Sequence, residues 1–166
     1  MIEVKPPTPL PQKKVIGGVY QVFLAGSIEQ GSAEHWQQVV AAELKDLDIY
    51  LLNPRRDDWD PSWDQSPNNL LFREQVIWEL DGLEQANLIL MHFDSNTMSA
   101  ITLLELGLMT KAPRFKFIVS CPRDFWRYGN VALVCERYDI LLVNSLDDLL
   151  FEGRDQIEFD QIMGNL

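Results

Sequence analysis

Five short apolar runs, separated by segments of helical periodicity, constrain this chain more than any other feature. The runs fall at 19–25, 49–52, 88–93, 115–119 and 140–143. Most are close to continuous in Val, Ile, Leu, Phe and Met rather than alternating apolar with polar, which is the pattern of strands covered on both faces. Between them, segments at about 33–46, 69–86, 99–111 and 128–137, and a tail from about 145, carry the helical pattern. Strands joined by helical crossovers run parallel and need helices on both sides of the sheet.

These elements predict one α/β domain, a flavodoxin/Rossmann-like three-layer sandwich with a five-stranded parallel sheet. At 166 residues the chain can bury a core of its own without a second domain. The domain is expected over 18–166. Residues 1–17, with Pro6, Pro7, Pro9 and Pro11 among polar neighbours, read as a flexible Pro-rich arm. One long irregular connection stands out, Asn53-Pro-Arg-Arg-Asp-Asp-Trp-Asp-Pro-Ser-Trp-Asp-Gln-Ser-Pro67, and loops of that length in small domains commonly serve function.

Charge and composition narrow the partners. A formal net charge of −11 opposes charge-driven binding to a nucleic acid polymer or an anionic membrane. A small anion remains compatible with it, because Arg55, Arg56 and Arg73 can form a local basic cluster. Cys121 and Cys135 do not make a disulfide framework or a zinc motif, and His35 and His92 are too scattered for a metal site. No cofactor is expected. With no signal peptide and no apolar run of bilayer length, the expected location is cytoplasmic.

Within Ile101-Thr-Leu-Leu-Glu-Leu-Gly-Leu108, just after the run Leu88-Ile-Leu-Met-His-Phe93, Glu105 is the single charge. A carboxylate among apolar neighbours needs a partner or a task. In open α/β sheets ligands bind beyond the carboxyl ends of the strands, where this helix begins, so Glu105 is a candidate catalytic residue. A structural reading competes: Thr102-x-x-Glu105 fits a capping box, with Ile101 and Leu106 as its staple. Far away in sequence, Val22-Phe-Leu-Ala-Gly-Ser-Ile28 has the form of a first strand running into a small-residue turn. Two such turns on neighbouring strands would line one crevice. The long connection adds Trp59 and Trp63, whose flat faces suit stacking on a base or pinning of the loop to the body.

With the turn Leu24-Ala-Gly-Ser-Ile28, the segment Glu79-Leu-Asp-Gly-Leu-Glu-Gln-Ala-Asn-Leu-Ile-Leu90 and Leu104-Glu-Leu-Gly107 in that order, the chain resembles the nucleoside 2-deoxyribosyltransferase superfamily over roughly residues 19–143. The resemblance implies cleavage or transfer at the N-glycosidic bond of a (deoxy)nucleoside or nucleoside 5′-monophosphate, with Glu105 as the nucleophile on the anomeric carbon. By register from Gly82 it implies Glu79 as the acid beside the departing base, with Asp81 two residues later left open. Transferases carry an aspartate where this chain has Ser99, whereas the related 2′-deoxynucleoside 5′-phosphate N-hydrolases carry serine. In those hydrolases the serine of a turn resembling Gly26-Ser27-Ile28 binds the 5′-phosphate.

The same resemblance matches Asn130, in Trp126-Arg-Tyr-Gly-Asn-Val131, to an asparagine that transferases present to a neighbouring subunit's site, which implies a homodimer or higher homo-oligomer. Arg55, Asp58 and Trp59 of the long connection complete the candidate substrate contacts. The aromatic chain terminus that transferases use on the base has no counterpart here. Two other functions compete: a glycohydrolase acting on a larger nucleotide such as NAD, and a non-catalytic nucleotide-binding protein.

Overall fold

The inner strands are buried on both faces, and successive residues of each strand divide between two cores. The computed structural model describes residues 1–12, 18–28, 35–111 and 116–164. Its elements in chain order are β1 (Ile2–Val4), β2 (Tyr20–Gly26), α1 (Trp36–Glu43), β3 (Ile49–Leu52), α2 (Leu70–Gln85), β4 (Leu88–His92), α3 (Ala100–Met109), β5 (Phe117–Ser120), α4 (Tyr128–Tyr138), β6 (Leu141–Val143) and α5 (Leu146–Met163). The start of the first expected helix, at 33 and 34, lies outside the described residues.

Among the described residues all strands are parallel, in the order β1-β3-β2-β4-β5-β6. The expected five-stranded sheet is therefore corrected to six. The additional strand comes from the Pro-rich arm: Ile2, Glu3 and Val4 pair with Tyr50, Leu51 and Leu52 of β3. Three residues at a sheet edge, two of them exposed, carry no periodicity that marks a strand, and only the non-local pairing defines it.

One core joins Phe23, Ala25, Ile89, Met91, Phe117 and Val119 of the sheet to Trp78 and Leu83 of α2, Leu106 of α3, and Val131 and Cys135 of α4. The other joins Val22, Leu24, Leu88, Leu90 and Ile118 to Trp36 and Val40 of α1 and to Leu149, Leu150 and Ile157 of α5. Neighbouring strand residues point to opposite faces, so a strand buried on both sides reads as a continuous apolar run. At the far end of the sheet, α5 is tied to β2 by the Tyr20 hydroxyl donating to Asp160 Oδ2 at 2.5 Å. Among the described residues no helix is long and apolar enough to cross a membrane.

The chain leaves β2 for β3 on one side, then crosses to β4 on the other. This reversal opens a crevice beyond the carboxyl ends of β2 and β4. Both strands end level, Gly26 being paired with His92. Gly26 adopts φ +150°, and a Cβ there would stand 2.3 Å from the His92 carbonyl oxygen and 2.9 Å from the Trp36 ring. Only glycine fits that approach.

Candidate active site

Two polar groupings lie around this crevice. The first is a set of three buried hydroxyls. Ser27, directly after β2, has its Oγ 2.5 Å from Ser99 Oγ, and Thr97 Oγ1 stands 2.6 Å from Ser99 Oγ and 3.1 Å from Ser27 Oγ. The backbone amide of Asp94 donates to Ser27 Oγ at 3.0 Å, while the Ser27 amide donates to the His92 carbonyl. Trp36 fixes the turn from below, its indole N–H donating to the Ser27 carbonyl at 3.0 Å.

Ser99 is the N-cap of α3, in the left-handed region at φ 46° and ψ 42°. Its side chain makes no capping bond to the helix amides and turns to the hydroxyl group instead. This position bears on the capping reading of Glu105. A cap at Ser99 puts Thr102 and Glu105 inside α3, so the Thr102 capping box does not form and Glu105 is free of that role.

The second grouping is a pair of carboxylates. Glu105 is only 8% exposed, and burial pushes its pKa up to about 8, with the neighbouring Glu79 charge adding to the rise. Burial likewise pushes Glu79 up to about 7, against the pull of a hydrogen bond from Gln75. Two carboxyls in one low-dielectric space resist simultaneous ionisation, so the pair holds a proton at neutral pH. Residues 75, 78, 79, 82 and 83 form the inward stripe of α2, and Gly82 lets that helix approach the Phe23 ring, 2.6 Å from where its Cβ would be. Asp81 falls outside the stripe and is exposed.

The remaining candidates separate. Arg55 is half-buried and donates to Gln37 Oε1 at 3.4 Å, at the start of α1. Asp58 is held by Arg56, at 2.7 and 3.0 Å, and Arg56 also faces Glu74 at 3.8 Å. The Arg56 guanidinium lies 5.0 Å over the Trp63 ring, which in turn packs 5.1 Å from Trp59. This latch gives Arg56 and Asp58 internal partners. Ile28 follows Ser27 and is half-buried, whereas Asn130 is exposed beside Leu133, Val134 and Arg137 on α4.

Thr97, Gln75 and His92 belong to this neighbourhood and were not singled out by the sequence as site residues. The spacing Gln75-x-x-x-Glu79 is a helical i,i+4 pair, a signal that could have found Gln75. Thr97 lies in the polar turn Asp94-Ser-Asn-Thr97 after β4, where a crevice residue is expected. His92 packs against Trp36 and shares a hydrogen bond of 2.8 Å with Ser120 through Nδ1. Burial pushes its pKa down to about 4, so the ring is neutral at neutral pH. Among the described residues there is no group of three His, Cys, Asp or Glu side chains able to hold a metal ion.

A solved structure of a conserved protein from Enterococcus faecalis V583 shares the fold, with a TM-score of 0.59 at 13% identity over 84% of this chain and 99% of that one. No curated protein matches the chain. The family described as nucleoside 2-deoxyribosyltransferase like matches residues 19–125, from the strand that carries Gly26 through both carboxylates to Phe125. That match spans well over half of the sequence, and the chain belongs to the nucleoside 2-deoxyribosyltransferase-like family.

Proposed function

We propose that the protein cleaves or transfers at the N-glycosidic bond of a nucleoside or nucleoside 5′-monophosphate, on a flavodoxin-like sheet, with Glu105 as nucleophile and Glu79 as the acid beside the leaving base. The observation that carries this reading is the pairing of buried Glu105 on α3 with half-buried Glu79 on α2, the latter held by Gln75. Departure of the base leaves an oxocarbenium-like sugar, which a carboxylate can trap, while a protonated neighbour supplies the proton that the base needs. The shared proton suits both tasks. With it on Glu79 and off Glu105, one group is an acid and the other a nucleophile.

The hydroxyls of Ser27, Thr97 and Ser99, beside the start of α3, favour a substrate carrying a phosphate or a sugar hydroxyl at that end. Chromatography tests the reading directly. Pooled nucleosides and nucleoside 5′-monophosphates incubated with the protein are expected to release free base, and a new nucleoside formed only when a second base is added identifies transfer. No release at high protein concentration overturns it.

We also propose that the active unit is at least a dimer. The outer face of α3 exposes Ile101 (63%), Leu104 (59%) and Leu108 (55%), close to Met98 and Trp126. A helix apolar on both sides is characteristic of one that is covered on both sides. Light scattering is expected to give at least twice the chain mass, and Leu104→Glu is expected to reduce it to that of one chain. A monomeric parent protein refutes the assembly.

A further inference from the structure

Gln75 is buried, 4% exposed, and points a single NH2 group at two acceptors. Nε2 stands 2.8 Å from the Pro54 carbonyl oxygen and 2.7 Å from Glu79 Oε1. The two protons of the amide therefore have one partner each. A carbonyl oxygen only accepts, so the nitrogen must face Pro54. The opposite flip would set the amide oxygen against two acceptors. Oε1 itself is buried and has no hydrogen-bond partner among the described residues, so nothing rewards that flip.

Bound to an N–H donor, Glu79 Oε1 acts as an acceptor. The amide is fastened at its other proton to Pro54, the second residue of the long connection that also carries Arg55, Trp59 and Trp63. We propose that Gln75 is a positioning residue for the N-glycosidic reaction: anchored by the Pro54 carbonyl, its amide orients the Glu79 carboxyl toward Glu105 and holds it in the proton-accepting form. The role rests on the function proposed above. A donor to the carboxylate lowers its basicity, so Gln75 makes Glu79 the stronger acid of the pair: a proton passed to it from Glu105 leaves Glu105 an anion able to attack, and Glu79 then gives that proton readily to the departing base. One O–H bond breaks, one forms, and the net charge of the pair is unchanged.

Among the described residues the hydrogen bond to Glu79 comes from Gln75. From α3 the facing charge is Glu105. On α2 itself, Glu74 is turned to Arg56 and Asp81 is exposed, while Arg56 in the connection is held by Asp58. From β2 the inward stripe meets Phe23, which is apolar.

The test is a carboxyl carbon-13 NMR titration of Glu79 in the parent protein, in Gln75→Met, which keeps the volume without the donor, and in Gln75→Asn, whose amide is one methylene too short. Loss of the donor disfavours the anion, so the Glu79 midpoint is expected to rise by about one pH unit in both variants. The pH profile of kcat/KM is expected to move the same way, and kcat to fall roughly tenfold, the scale of one charge-assisted hydrogen bond. Far-ultraviolet circular dichroism and thermal melting select the variant that folds as the parent does. Midpoints and profiles that superimpose on the parent in a folded variant overturn the role of Gln75 without touching base release. Absence of base release by the parent overturns the functional reading, and the titration still reports whether the Gln75 bond governs Glu79.

Discussion

Glu105→Gln is expected to slow base release by roughly 10³-fold or more, because glutamine has the shape of the carboxylate and none of its nucleophilicity. The same substitution is expected to make the protein more stable in alkali. In the folded protein burial pushes Glu105 up to about 8 from an ordinary carboxylate value of 4.5. A group whose folded pKa is raised contributes stability that is full below its unfolded pKa and is lost as pH rises through the folded pKa. The parent protein should thus melt at progressively lower temperature between pH 4.5 and 8, with Glu79 contributing in the same direction up to about 7.

Each pKa unit corresponds to about 1.4 kcal/mol, so at pH 9 the glutamine variant is expected to gain stability on the order of a few kcal/mol. Kinetics and thermal melting across pH measure both effects on one protein. A loss of rate accompanied by a gain in alkaline stability is the signature of a charge buried for chemistry. A variant that keeps its rate removes Glu105 from the reaction, and one that loses stability at pH 9 gives it a structural task.

Gly26→Ala is expected to cost more than about 4 kcal/mol, a large share of the stability of a domain of ordinary size. Two penalties combine. At φ +150° a side chain is strained whatever space surrounds it. The added methyl would also meet the His92 carbonyl oxygen at 2.3 Å, which is backbone of the adjacent strand and cannot turn aside. Chemical denaturation followed by circular dichroism is the measurement, with Gly107→Ala as the comparison. Gly107 has nothing within 4 Å of its Cβ position, and its substitution by a better helix former is expected to be neutral or mildly stabilising.

Most of the sheet was legible in the sequence because burial on both faces removes the polar interruptions from β2, β3, β4 and β5. The helices were legible for the complementary reason, and α2 falls within one residue of the expected 69–86. β1 was not, since its three residues become a strand through pairing with β3 rather than through a pattern of their own. At the site, Glu105 announced itself as the one charge in an apolar helix. The choice between Glu79 and Asp81 could not be read from register alone. It depends on the rotation of α2 about its axis, which the close approach of Gly82 to Phe23 accompanies, and that rotation turns Glu79 inward to Gln75, half-buried, while leaving Asp81 exposed. The left-handed turn at Ser99 was equally hidden, and with it the failure of the capping box at Thr102.

The division of the helices between the two faces has a consequence for the order in which the molecule can be assembled as it is synthesised. On one side α2, α3 and α4 follow closely on the strands they cover, so that layer can be laid down as the chain emerges. On the other side α1 is alone until α5 is made, and α5 comes after every strand. A nascent chain that has just completed β6 therefore still presents Leu88, Leu90 and Ile118 without the Leu149, Leu150 and Ile157 that close over them. Closure of that face waits for α5, and apolar surface left open in the meantime favours misassociation.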